Sequence, residues 1–434
     1  MIYQFEILRN LTFVEKKTFR LHFIHSIFEG VILGLLALNE YIFVRSLQGS
    51  EFLLSILFST TVFVLIFSVF SHEYLKRYRN KKKLLIYTAF VTRVPLLFLL
   101  FFPADVKIIA GNQFYHYVFL GIFFMFYSFQ PVVLPLINLF LKSNYSNSNF
   151  GKLYGLSTMG NKIVMLIITF LFGLLLDFDL AAFRYIYPFM GVLGVFSIYI
   201  LSKIRIDNSI IEYDKKNIRK VITDSLSNSY QILKNNRPFL KFQISFMFYG
   251  FAFMITNVLV TIFYDQVMHL NYSSTAFYKN FYNTVAIITL PFFGNLIGKM
   301  RIDKFANMTF LYMFIYILFT AVSEYITDGL VVFEIRIVFM LIVAGLSYGL
   351  FASTMSLLWS IGSAYFCKPE DAATYQAIHL SLTGLRGCLA PFIGVLIYTK
   401  FGFTNAFAIS LTFLLAGMIF TALPKYETRK LGIT

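Results

Sequence analysis

Residues 21–44 read LHFIHSIFEGVILGLLALNEYIFV, an almost unbroken apolar run with one acid, Glu29, near its middle and a second, Glu40, near its end. A bilayer core about 30 Å thick needs roughly 20 apolar residues in a helix, so this stretch is long enough to cross it. It is too long for a signal peptide and has no small-residue cleavage site. The preceding twenty residues carry Arg9, Lys16, Lys17 and Arg20 but no apolar stretch of their own. Working outward with the same ruler, further spans fall at 53–70, 84–102, 116–141, 153–176 and 185–204. A second set of six follows at 242–264, 276–297, 305–322, 335–364, 375–398 and 405–423, the 335–364 run being long enough to tilt or to extend past the bilayer.

The composition agrees. Of 434 residues, 58% are hydrophobic and 13% charged, with 54 Phe and 28 Tyr and a mean hydropathy of +0.72. Soluble chains carry about a quarter charged residues, and no water-exposed surface holds so much aromatic area without aggregating. A soluble enzyme, a disordered scaffold and a nucleic-acid-binding domain are thereby excluded. Two cysteines, Cys367 and Cys388, make no disulfide framework. The expected class is an all-α polytopic membrane protein with twelve transmembrane helices in two six-helix halves.

The net charge of +16 is distributed by loop. Even-numbered loops and both tails hold 28 Lys and Arg, odd-numbered loops hold five (Arg45, Lys107, Arg184, Arg336 and Lys400), and four lie inside spans. The positive-inside rule then puts both termini in the cytoplasm. The polar stretch between the halves has order of its own. From Asp214, the positions Ile218, Val221, Ile222, Leu226, Tyr230 and Leu233 recur at helical spacing beside Lys215, Lys216, Arg219 and Lys220. That pattern suits a basic amphipathic helix on the inner membrane surface, or a solvated linker with some apolar positions. The domains expected are 1–204, a linker at 205–241, and 242–434.

The halves repeat weakly. A shift of 224 positions sets Gly160-Asn161-Lys162 on Gly384-Leu385-Arg386, and a shift of 220 sets Phe28-Glu29-Gly30 on Phe248-Tyr249-Gly250. Six plus six spans joined by a cytoplasmic linker resemble a major facilitator superfamily transporter. The loop after span 8, with Gly294, Gly298, Lys299, Arg301 and Lys304, is similar to that family's glycine-aspartate-basic signature, except that Gly298 stands where the Asp would be. After span 2 the basic cluster Lys76, Arg77, Arg79, Lys81, Lys82 and Lys83 is kept, but the glycines and the Asp are not. The resemblance implies that any gating latch uses other groups, with Gly294, Gly298 and Lys299 in gating or structural roles. The segment from Tyr375 to Pro391 looks like that of a bacterial subgroup, which implies the inner membrane of a bacterium. The glycine–proline motif of many drug/proton antiporters is absent between Leu153 and Leu176.

Charges inside spans narrow the function. Each costs roughly 2.5–3.5 kcal/mol at a helix centre, so Glu29, Arg93, Lys162 and Arg386 need partners or a water-filled cavity. Glu29 shares a helix face with His22 and His25. A carboxyl in a poorly solvated site can take up and release a proton near neutral pH, as coupling requires, so Glu29 with His25 is the candidate proton carrier. The alternatives are a counter-ion to Lys162 or Arg386 and, by ligand type alone, a metal site with His22. Lys162 and Arg386 fall on spans 5 and 11, which line the cavity in the family that the chain resembles. Two cations there suit an anionic solute, with His379, Gln130, Asn257 and Asn283 adding hydrogen bonds. Span 3 is peripheral in that family, so Arg93 is assigned a gating or structural role. Small-residue pairs Gly30/Gly34, Gly294/Gly298 and Gly345/Gly349 permit close helix contact.

No Walker loop, His-Glu-x-x-His pair or Cys/His zinc spacing is present. Neither an enzyme nor a cofactor nor a metal is expected. The expected partners are a small-molecule solute, protons and the lipid bilayer. The reading is a monomeric secondary transporter of a small or medium organic anion, proton-coupled and working by alternating access. The alternatives are an exporter of hydrophobic compounds or lipids, and a receptor on the same fold.

Overall fold

A computed structural model describes residues 11–67, 75, 78, 80–128, 130–205, 218–368 and 371–422. Lys76, Arg77, Arg79, Asp214, Lys215 and Lys216 lie outside them. In chain order the helices are α1 (Phe13–Leu36), α2 (Asn39–Arg45), α3 (Glu51–Phe63), α4 (Lys81–Arg93), α5 (Val106–Ala110) and α6 (Gln113–Tyr127). They continue as α7 (Gln130–Lys142), α8 (Asn147–Phe178), α9 (Phe183–Ser202), α10 (Ile218–Asn235), α11 (Arg237–Gln266), α12 (Tyr272–Ile297) and α13 (Ile302–Val322). After a hairpin, β1 (Gly329–Val332) and β2 (Ile335–Val338), come α14 (Phe339–Ile361) and α15 (Ala372–Ala422). The fold is all-α and polytopic, and among the described residues nine helical segments are long and apolar enough to cross a membrane. Exposed Phe101, Phe178 and Phe189 give three of these segments apolar outer faces.

Local chemistry explains the breaks. Thr12 caps α1 in a capping box with Glu15, and Asn80, Asn236 and Asn271 cap α4, α11 and α12. Pro95 follows Arg93, and the chain there tightens from α into a 3-10 turn over Val94–Phe101. Within α15, Gly402 sits at φ +80°, so the element is two helices joined at a kink between the expected spans 11 and 12.

One boundary is corrected. Residues 335–338, read as the start of span 10, are strand β2, paired antiparallel with β1 in the register Val332↔Ile335 to Gly329↔Val338. Phe333 and Glu334 both have positive φ, the two-residue turn that suits a hairpin's twist. The unusual length of that run is therefore a hairpin ahead of a helix of ordinary length. The linker helix is present as α10, with Leu226 and Tyr230 on an exposed face.

Packing groups the chain into two compact units, Met1–Asn39 with Ser71–Asn217, and Glu40–Phe70 with Ile218–Thr434. In the first, α1 lies against α8, and a Cβ added at Gly34 would stand 2.8 Å from Met165 O. That close approach is what the Gly30/Gly34 spacing permits. Asn161 donates to Ser26 O at 2.9 Å, and Thr169 donates to Gly34 O at 3.2 Å. At one end of this interface Glu15, 4% exposed, accepts hydrogen bonds from Ser146 N, Ser146 Oγ and Asn149 Nδ2. A core of Leu85, Ala89, Leu136, Phe140, Leu153 and Leu201 fills the unit.

In the second unit α11 packs along α15, and α12 along α14. Residues 40–70 join this unit because α3 rests on α15, where Ser55 donates to Pro391 O at 3.3 Å and Ser381 to Ile66 O at 3.1 Å. The expected division at residue 204 follows the order of spans along the chain, and the packing regroups 40–70 across it.

Candidate functional site

The first unit brings α1, α4 and α9 together around buried charge. His25 and Glu29 are one turn apart on α1, with His25 Nδ1 4.0 Å from Glu29 Oε1. Ser197 of α9 stands between them. Its Oγ is 2.7 Å from His25 Nδ1 and donates to Glu29 Oε1 at 3.4 Å. A hydroxyl can accept a hydrogen bond on one side and donate one on the other, so His25, Ser197 and Glu29 form a short hydrogen-bond relay. His25 is 4% exposed, whereas the Glu29 side chain keeps 26% of its surface accessible. Glu29 is thus the open end of the relay.

Arg93 of α4 completes the cluster. It is 2% exposed, and it interacts electrostatically with both Glu29 and His25. Its guanidinium lies over the Phe126 ring at 5.1 Å and donates to Thr92 Oγ1 at 3.1 Å. Gly194 makes the room, since a Cβ there would stand 2.7 Å from Arg93 Nε. Gly191 lets the backbones meet, with Arg93 O 2.8 Å from its would-be Cβ. The counter-charge acting on Glu29 is therefore Arg93, which the sequence reading assigned to a peripheral helix. Ser197, Gly191 and Gly194 were not singled out from sequence. A serine in an apolar span is a common packing residue and gives no signal by itself.

His22 belongs elsewhere. Its Nδ1 lies 3.2 Å from Ser157 Oγ and 3.3 Å from Tyr145 OH, so it is engaged one helical turn away from the relay. Lys162 of α8 is half-buried, its ammonium 3.8 Å from Met165 Sδ. Among the described residues it has no acidic partner within ion-pair distance. Gln130 is half-buried at the start of α7.

In the second unit Arg386 of α15 is 3% exposed. It donates to Phe246 O and, at 3.2 Å, to Thr383 Oγ1. The guanidinium also lies over the Phe246 and Tyr249 rings at 5.9 and 5.6 Å, in space that the missing side chain of Gly250 leaves. His379, 1% exposed, has Nδ1 3.0 Å from Gln243 Oε1 and packs on Phe246. These contacts hold α15 to α11 and keep Arg386 covered in this structure. Asn257 and Asn283 are half-buried, and Asn283 donates to Lys279 O at 2.8 Å within its own helix. Gly294 and Gly298 have open space where a side chain would be, and Lys299 is exposed.

The Major Facilitator Superfamily profile matches residues 19–365. No curated protein matches the sequence. Among solved structures, the nucleoside transporter NupG superposes with a TM-score of 0.67 at 15% identity, covering 95% of this chain and 98% of its own. The xylose transporter XylE from E. coli, in an inward-open conformation, gives 0.66 at 11% identity, covering 95% and 97%. The peptide transporter POT in complex with sulfate gives 0.68 at 13%, covering 94% and 93%. At such identities the likeness speaks for the fold.

Proposed function

Since the chain belongs to the major facilitator superfamily and is a multi-pass secondary transporter, we propose that it moves a small or medium organic anion by alternating access, coupled to protons through Glu29. The observation that carries coupling is the His25–Ser197–Glu29 relay beside Arg93, with Glu29 its accessible end. Glu29 neutralised by a proton and Glu29 held by Arg93 are two states of one cluster, and a coupled carrier needs two such states.

Lys162 supports the anion. It is a half-buried cation with no acid at ion-pair distance among the described residues. An anionic group would offset its desolvation. Arg386, covered and bonded to Phe246 and Thr383, serves in this reading to fasten α15 to α11. Lys162→Ala is expected to weaken binding of the anion by about 2 kcal/mol, roughly thirtyfold. The measurement is calorimetric titration of purified protein with mono- and dicarboxylates and organic phosphates, against their neutral amides and alcohols. Equal losses for charged and neutral compounds would make Lys162 a structural residue.

The proposed orientation, with both termini cytoplasmic, rests on the 28 to 5 distribution of Lys and Arg. Reporter fusions after Lys82 and Lys234 are expected to read cytoplasmic and one after Asn271 to read outside. The reverse pattern would overturn it.

A further inference from the structure

In the second unit a crevice of about 740 Å³ opens between the first turn of α3, the last residue of α11 and one face of α15. From α15 come Phe392, Val395, Leu396 and Thr399, spaced i, i+3, i+4 and i+7 and therefore on one stripe of the helix. Gly394, beside this stripe, lets α15 run close along α11, since a Cβ there would stand 3.1 Å from Ile255 Cα. From α3 comes Phe52, 60% exposed, whose ring centre lies 5.4 Å from that of Phe392. Ser50 caps α3 by accepting from Leu53 N at 3.3 Å, which sets the next side chain, Glu51, on the first turn.

Glu51 is the one charged group in the lining. It is half-buried, and its Oε1 accepts from Gln266 Nε2 at 3.2 Å. The other end of that amide is held too, because Gln266 Oε1 accepts from Tyr398 OH at 2.7 Å. The carboxylate is thus positioned by a chain of hydrogen bonds from α15 through α11. It is not neutralised by them. Among the described residues no Lys, Arg or His comes within ion-pair distance of Glu51. Arg45, the nearest basic residue along the chain, is already held by Asp265 Oδ1 at 3.3 Å and by Leu270 O at 2.8 Å.

We propose that this crevice binds organic cations, solutes that carry an ammonium on an aromatic or aliphatic body. Its volume lies within the range of about 300–1,000 Å³ usual for small-molecule sites. An ammonium placed there pairs with Glu51 and can donate to Gln266 Oε1, which has a second lone pair to offer. The Phe52 and Phe392 rings attract the same cation through their π faces, and the α15 stripe takes the apolar body. A neutral ligand would cover the carboxylate without supplying a counter-charge, and an anion would be repelled, so the site discriminates by repulsion as well as by attraction. A divalent metal ion needs more oxygen ligands than one carboxylate and one amide provide. The loops at 45–52 and 267–271 are odd-numbered, so in the proposed orientation the crevice opens to the outside. This inference goes beyond the Lys162 reading. It has the opposite charge preference and stands on different residues, so either can fail alone.

The test is calorimetric titration of the full chain in an uncharged maltoside detergent with diphenylpropylamine, which is a cation at neutral pH, and with diphenylpropanol and diphenylpropionate, its neutral and anionic counterparts. The expected result is binding of the amine, with the alcohol and the carboxylate roughly tenfold or more weaker. Glu51→Gln keeps the size of the side chain and should bring the amine down to the level of the alcohol. Phe52→Leu should weaken the amine more than the alcohol, because it removes a π face and keeps apolar bulk. Both positions are accessible, so the melting temperatures of these variants should stay close to that of the unaltered protein. Leu396→Trp, which fills the crevice, should block the amine. Equal affinities for amine and alcohol, no binding of the amine, or unchanged binding by Glu51→Gln would each overturn the proposal. Glu51-dependent stabilisation by phosphatidylethanolamine without binding of the amine would overturn it too, and give the crevice to a lipid. Lys162→Ala with unchanged binding of the amine separates the two readings.

Discussion

Glu29→Gln abolishes solute accumulation driven by a pH gradient in liposomes while solute exchange without a gradient continues. That is the expected outcome if Glu29 is the residue that takes up and gives back the coupled proton. Gln matches Glu in size and keeps an acceptor for the Ser197 hydroxyl, 3.4 Å from Glu29 Oε1, so the relay's geometry survives while its charge does not. The variant resembles the protonated state permanently, and a carrier locked in one protonation state can exchange solute but cannot draw work from protons. His25→Gln is the companion variant. His25 is the covered end of the relay, so its loss should slow proton-driven uptake without abolishing it. Measured with the same liposomes, full concentrative uptake by Glu29→Gln would make Glu29 a structural counter-ion and move coupling elsewhere.

Arg93→Met lowers stability by about 3–5 kcal/mol, the cost of leaving a buried charge without its counter-charge. Arg93 is 2% exposed and fills the notch at Gly194, so Met replaces much of its volume and the loss reports mainly on charge. The diagnostic is the double variant with Glu29→Gln. If the two charges stabilise each other, the second substitution recovers about 1–3 kcal/mol of the first, as directly interacting residues do in a double-mutant cycle. Unfolding in graded denaturing detergent measures all four corners. Strict additivity would mean that Arg93 serves the packing of α4 on α9 and that its effect on Glu29 is incidental.

Much of this molecule is legible without its structure. Spans of about 20 apolar residues follow from the bilayer's thickness and the backbone's need for internal hydrogen bonds in lipid, and both requirements are local. For the same reason the loop-by-loop charge asymmetry and the linker helix α10 are readable from residue order, as is the break at Gly402, between two expected spans. Gly30 and Gly34 also announced close packing of α1, since only small residues allow it. The hairpin at 329–338 was hidden because β2, Ile-Arg-Ile-Val, is as apolar as a helix start.

The site divides differently. That Glu29, Arg93, Lys162 and Arg386 are the residues to explain was determined by the sequence itself, because a charge in an apolar span is costly wherever it lies. Which charge meets which is a matter of how helices far apart in the chain come together, and only the tertiary structure decided it. From the sequence, a counter-ion to Lys162 or Arg386 was the alternative role for Glu29. It answers instead to Arg93, because Gly191 and Gly194 of α9 let α4 come close enough to deliver a guanidinium. Insertion into the membrane is governed by free energies that add along the chain. Pairing of buried charges is governed by distances across it, and these exist only after the helices have packed.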